Sequence, residues 1–290
     1  MVAMRKVTAH VIPVAVSTTL VVMAGALMPP TAAWALLLIG PTIAIALCLG
    51  FWERPACQIM RGARPLTPTE RQLLAPAHEI LQRQKMLTAP VEIVARGGPG
   101  VQAMGVGRRT VIVSSGLLDA ARGQLLPADE SAAVLAHATG LTLAGRVRND
   151  LALTYWTLPW HVVRLLIAAL GQLLWPMRSI FRAGWLLGRP IVGLGAAVQS
   201  TQQGHPAIGV ATIILLLATY AHPWAQRSWA RHLEDVGDRA AAEHGLSTPL
   251  ASFLRRFPST LRLDERTHRL APLGDNVTQA AMQPALSGGH

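Results

Sequence analysis

Residues 131–146 read SAAVLAHATGLTLAGR, an apolar and small-residue stretch with a single imidazole, His137. Pro127-Ala-Asp-Glu130 comes just before it, and a proline followed by acidic first-turn residues marks the start of a helix. On that helix Ala138 directly follows the histidine, and Leu141 stands one turn further along the same face. A lone histidine on an apolar helix is most often packed and hydrogen-bonded. Whether this one does more depends on the chain around it.

The composition is that of a membrane protein. In 290 residues, 51% are apolar and only 14% charged, and the apolar residues gather in long runs. Two cysteines, Cys48 and Cys57, make no disulfide framework, and Cys48 lies inside an apolar run. The net charge of +11 would suit nucleic acid, but its distribution does not. No Asp or Glu precedes Glu53 and none lies between Asp150 and Glu234, so the basic excess sits beside apolar runs. There it sets topology and meets anionic headgroups. No nucleic-acid partner is expected, and the lipid bilayer is.

The chain divides accordingly. Residues 1–52 hold two apolar runs, 7–28 and 32–52, each about the ~20 residues a helix needs to cross the hydrocarbon layer. Met28-Pro-Pro30 joins them without charge. Arg5 and Lys6 before this hairpin and Arg54, Arg61 and Arg64 after it put both flanks in the cytoplasm by the positive-inside tendency. Residues 53–150 are polar and lack tryptophan, whereas all eight tryptophans lie in or beside apolar runs, as an interfacial belt requires. Thr67-Pro-Thr-Glu70 predicts a capped helix running to about Lys85. Val91–Ala95 and Thr110–Ser114 (TVIVS) read as strands separated by a glycine-rich segment. Residues 151–226 return to the membrane as about two spans plus an interfacial or re-entrant piece at 176–205 that carries Arg178, Arg182 and Arg189. Residues 227–270 contain an amphipathic helix, Ser228–Gly245, and 271–290 form a flexible tail.

Zinc peptidases commonly place two histidines at i and i+4 on a helix, with a glutamate after the first as general base. His137, Ala138 and Leu141 occupy those three positions, so one chemical group of three is present. Far downstream, RHLEDVGDRAAAEHG places Glu234 and Asp238 one turn apart on a helix. Read alone, that pair is a solvated face partnered by Arg231 and Arg239.

The order of these parts resembles the HtpX-like membrane zinc metallopeptidases, relatives of the CAAX prenyl endopeptidases. The likeness rests on the N-terminal hairpin, Gln102-Ala-Met104, Val111-Ile-Val-Ser-Ser-Gly-Leu-Leu118, Ala132–His137, the membrane segment 151–226, and Glu234 with Asp238. The resemblance covers roughly residues 10–270. It implies a multi-pass helical membrane protein with a cytoplasm-facing, mainly helical α+β domain of zincin (gluzincin) type, built from 53–150 and 227–270. It makes His137 the first zinc ligand, Glu234 the third and Asp238 a supporting acid. It also makes Ala138 the replacement of the general base, and Leu141 that of the second ligand. Ser259-Thr-Leu-Arg262 stands where relatives carry a Thr-His-Pro-Pro lead-in.

Without the base and a ligand, ordinary zinc hydrolysis is not expected, because base loss alone costs ~10²–10⁴ in rate. Zinc, the family's cofactor, is expected to be absent or weakly bound. His232 points to another face from Glu234, and His244 would need a rearranged helix to replace the lost ligand. The expected function is that of a pseudopeptidase in the plasma membrane, binding or regulating membrane proteins without hydrolysis, with membrane-protein segments or peptides as partners. Its expected binding edge comprises Gln102, Ala103, Met104, Val111 and Val113, with the strand at 110–114 as an edge for an extended peptide. The alternatives are an active zinc endopeptidase of membrane-protein quality control with atypical ligands, and an interaction scaffold.

Overall fold

A computed structural model describes residues 2–87, 90–173, 178–257 and 265–270. The tail expected at 271–290 and the segment Ser259-Thr-Leu-Arg262 lie outside the described residues. The chain falls into two compact units, Met1–Ala44 with Leu153–Arg231, and Ile45–Ala152 with His232–His290.

The first unit is helical. Helices α1 (Val2–Ala26) and α2 (Pro30–Leu49) form where the two apolar runs were read, joined at the proline pair. They are followed across the chain by α7 (Asp150–Trp156), α8 (Leu158–Leu173), α9 (Arg178–Gln202) and α10 (Pro206–Glu243), of which the residues from His232 onward belong to the second unit. Among the described residues, three helices are long and apolar enough to cross a membrane, namely α1, α2 and α10, and the α7–α8 pair adds a fourth if counted as one span. That pair bends by 58°. Pro159 supplies the cause, since it lacks an N–H and crowds the preceding turn. The Trp160 N–H, left without an intrahelical acceptor at the start of α8, donates to the buried Ser17 hydroxyl on α1 at 3.2 Å. The Trp156 indole N–H donates to Thr18 Oγ1 at 3.0 Å. The piece expected to be interfacial or re-entrant contains α9, but the side chains of Arg178, Arg182 and Arg189 are outside the described ones.

One expectation is corrected in α10. Ser228–Gly245 is not a separate amphipathic helix but the polar continuation of the apolar 206–226 segment, in a single helix of 38 residues. Within α10 no proline follows Pro223, and no pair of helix breakers interrupts the register. Gly245, at φ 72°, lies just beyond the helix end, as expected.

The second unit is a small sheet with helices packed on it. Its elements are α3 (Glu53–Arg61), β1 (Ala63–Pro65), α4 (Pro68–Arg83), β2 (Glu92–Arg96), β3 (Ala103–Val106), β4 (Thr110–Ser114), α5 (Ser115–Arg122), α6 (Ala128–Leu143) and α11 (Ser247–Arg256). The strand order is β1-β2-β4-β3. β2 and β4 are parallel, with Glu92 opposite Thr110, and β1 and β3 run antiparallel to their neighbours. The placement of Val111 and Val113 at a sheet edge is therefore wrong. β4 is an inner strand with all five residues buried, as a continuous β-branched run requires when both faces are covered. The edge on that side is β3, which carries Ala103 and Met104, while Gln102 immediately precedes it.

Helix α6 is the core element. Ala132, Ala133, Ala136 and Ala138 are fully buried, and the helix packs against β3, α4 and α11. Gly105 of β3 permits the closest approach, since a Cβ there would overlap the Ala138 carbonyl oxygen. The start of α6 is anchored by buried Glu130, which accepts from the Ser252 hydroxyl at 2.7 Å and pairs with Arg256 at 3.2 Å on α11.

Helix α4 begins as expected, at a reciprocal cap. The Glu70 N–H donates to Thr67 Oγ1 at 3.3 Å, and the Thr67 N–H donates to the Glu70 carboxylate at 2.8 Å. Both carboxylate oxygens also accept from Arg64, at 2.8 and 2.6 Å. The Arg64 guanidinium holds the Glu70 carboxyl down at about 2, against burial, which pushes it up. A depressed carboxylate stabilises the fold above its unfolded value and loses that contribution as pH falls through the folded value. Glu70→Gln should therefore cost about 1 kcal/mol at neutral pH, because Arg64 is half exposed and screened. In thermal unfolding across pH, variant and parent should differ above roughly pH 4.3 and converge near pH 2. A difference that persists undiminished at pH 2 would contradict the pairing.

Candidate functional site

The site forms where α6 meets the polar end of α10. On α10, Glu234, Gly237 and Asp238 share a face by their i, i+3, i+4 spacing. The His137 ring lies directly on that face at Gly237, where a Cβ would overlap three ring atoms. Glycine is required at this crossing for space.

His137 Nδ1 sits 3.1 Å from Asp238 Oδ1. An ionised carboxylate only accepts, so Nδ1 carries the proton in this contact, and in the neutral ring Nε2 is then the acceptor nitrogen. Asp238 is buried at 8% exposure and has a second partner, Arg266, which is buried at 5%. Arg266 donates from Nε to Oδ2 at 3.0 Å and from Nη2 to Oδ1 at 2.7 Å, the two-bond geometry in which a guanidinium matches a carboxylate. One turn along each partner, Arg269 pairs with Asp235. The segment 265–270 is thus fixed to α10 by two rungs, with Leu270 buried beside them.

Ala138 is fully buried and Leu141 nearly so, and the Ala138 carbonyl oxygen and the Leu141 Cβ lie against Gly105 of β3. The positions read as the lost base and the lost ligand are filled by packing. Glu234 has one carboxylate oxygen, Oε2, that is buried and accepts no hydrogen bond among the described residues. His244 turns away, its Nδ1 against the Ala240 carbonyl oxygen at 2.8 Å, and lines a separate cavity with Arg146 and Arg239. Gln102 is held at the mouth of β3 by Ser114, whose hydroxyl accepts from the Gln102 N–H at 3.1 Å. Val111 and Val113 face the core rather than a ligand.

The donor set can be compared with what zinc needs. A carboxylate on the far nitrogen of an imidazole is how a metal-bound histidine is usually oriented, and His137 with Asp238 reproduces it. His137 Nε2 and Glu234 Oε2 are two potential donors, and a catalytic zinc site takes three protein ligands. Among the described residues no three His, Cys, Asp or Glu side chains gather closely enough to hold a metal ion. Two donors fall short of the three protein ligands that a catalytic zinc site takes.

Two members of the site escaped the sequence reading, Gly237 and Arg266. Arg266 had a signal: Asp235 and Asp238 share the three-residue spacing of Arg266 and Arg269, as two complementary rungs would. No protein-family model matches the chain, and no curated protein or solved structure matches it either.

Asp238→Asn should leave the Arg266 guanidinium buried without its counter-charge and cost about 3–5 kcal/mol. Adding Arg266→Met should recover part of that loss, because the stranded charge goes with it. Urea titration of the detergent-solubilised protein measures both. Losses that simply add would show that the two groups do not meet.

Proposed function

We propose that this chain is a membrane pseudopeptidase of HtpX-like architecture, which holds segments of membrane proteins without hydrolysing them. The observation that carries the reading is the pairing at the site. His137 Nδ1 pairs with Asp238, the kind of contact that orients a metal-bound histidine, while Ala138 and Leu141, at the positions that the resemblance gives to a base and a ligand, are buried and apolar. The candidate peptide-binding element is β3. Its outer edge is free of a strand partner among the described residues, and it lies directly over α6. An extended segment adding to β3 would run past Gln102 and Met104, with His137 on the neighbouring helix.

We place the protein in the plasma membrane with the sheet-bearing unit in the cytoplasm. Arg5, Lys6, Arg54, Arg61 and Arg64 support that orientation, since each lies just outside an apolar span. The unpartnered Glu234 oxygen is the feature that would favour a residual metal. The test therefore includes zinc. Full-length protein in detergent, carrying a photo-crosslinking residue in place of Met104, is mixed with an unfolded model polypeptide with and without zinc. Crosslinking with the polypeptide recovered intact supports the reading. Chelator-sensitive cleavage would replace it with the active peptidase, and absence of crosslinking would remove the β3 edge as a binding element.

A further inference from the structure

A second cavity, remote in sequence from His137, lies under α4 in the sheet-bearing unit. It has a volume of about 370 Å³ and is lined by residues of α3, α4 and β2. Arg71, Leu74 and His78 stand at i, i+3 and i+7 of α4, so one face of that helix presents a guanidinium and an imidazole on either side of an apolar floor. Ile93 of β2 continues the floor, and Arg54 of α3 and Glu92 of β2 complete the rim.

The charges of this rim are unusually available. The side chains of Arg71 and His78 make no hydrogen bond or ion pair among the described residues. The acid next to Arg71 in sequence, Glu70, is turned to Arg64 and the helix cap and does not neutralise it. Arg54 pairs with Glu92 at 3.3 Å, but both side chains are about half exposed. Such a pair is weak and can yield to a stronger anion. A phosphate group would meet two guanidinium groups and an imidazole donor, with one carboxylate to displace.

The position of the rim in the chain selects among anions. Arg54 follows the end of the apolar helix α2, at Leu49, by five residues. Five residues of fully extended chain span at most about 18 Å. If α2 crosses a bilayer, Arg54 is therefore held within reach of its headgroup layer. Leu49, Phe51, Trp52 and Ile59 are exposed on either side of Arg54, at 55%, 62%, 65% and 84%, and aromatic residues in this position belong at a membrane interface. The cavity volume is at the small end of ligand pockets, enough for a headgroup with the first part of its chains and too small for a whole diacyl lipid.

We infer that this cavity is a binding site for the headgroup of an anionic phospholipid, with Arg54, Arg71 and His78 on the phosphate and Leu74 and Ile93 against the glycerol and upper acyl carbons. The inference rests on the membrane-spanning reading of α2 and not on the pseudopeptidase reading. The test titrates full-length protein in a neutral detergent with short-chain phosphatidylglycerol, short-chain phosphatidylcholine and inorganic phosphate, counting bound ligand by native mass spectrometry. One phosphatidylglycerol should bind saturably, about tenfold more tightly than phosphatidylcholine, and phosphate alone should not compete at matched concentration. Arg71→Gln should weaken phosphatidylglycerol about fivefold and Arg71→Gln with His78→Gln further, while Arg255→Gln, on α11 outside the cavity, should leave it unchanged. Equal affinity for the two lipids overturns the proposal, as does an Arg71→Gln variant that binds like the parent. Phosphate binding as tight as the lipid's would overturn it in favour of a soluble anion. If the double variant fails to fold, the three-ligand comparison on the unmodified protein decides alone.

Discussion

The Asp238 carboxylate, buried between the His137 imidazole and the Arg266 guanidinium, is the interaction on which the sheet-bearing unit depends. It joins α6, α10 and the segment 265–270, which are far apart in sequence. A buried carboxylate with one partner would be expensive, and with a bidentate guanidinium and an imidazole its lone pairs are largely satisfied. The arrangement also sets what the site can do. Asp238 fixes which nitrogen of His137 carries the proton, while Arg266 ties up the same carboxylate and brings a permanent positive charge beside the imidazole. That surrounding suits a structural closure better than it suits an incoming dication.

The same economy governs the packing around it. Gly105 lets β3 come down onto Ala138, and Gly237 lets the His137 ring come down onto α10. Ala138 and Leu141 are both buried, so these two positions belong to the packed interior of the unit. Restoring polar groups there would carry a desolvation cost unless a metal or hydrogen bonds compensated it.

Much of this was legible in the residues, and the exceptions have physical causes. The spans, the Thr67 cap, the start of α6 at Pro127 and the strand at Thr110–Ser114 announce themselves through length, capping chemistry and β-branched runs. The register of the sheet does not. TVIVS has the composition of a strand buried on both faces, yet nothing local says which strand lies outside it, and β3 became the edge through long-range pairing. α3, β1, α5 and α11 are short and held by tertiary contacts, so their patterns are weak. The continuity of α10 was missed because its hydropathy changes abruptly after residue 226 while its backbone does not. At the site, His137, Glu234 and Asp238 could be named from spacing and resemblance. Arg266 could be seen only by matching its spacing with Arg269 to that of two aspartates on another helix.

The central proposal is that the helix beginning at Ala128 has the geometry of a zinc helix without its chemistry. Zinc analysis of two purified proteins tests it most directly, the unmodified chain and the double variant Ala138→Glu/Leu141→His. If His137 Nε2 and Glu234 still converge on one point, the variant has three protein ligands and a base, and it should purify with about one equivalent of zinc. The unmodified chain should purify without stoichiometric zinc. Stoichiometric zinc in the unmodified chain, or none in a folded double variant, would contradict the account.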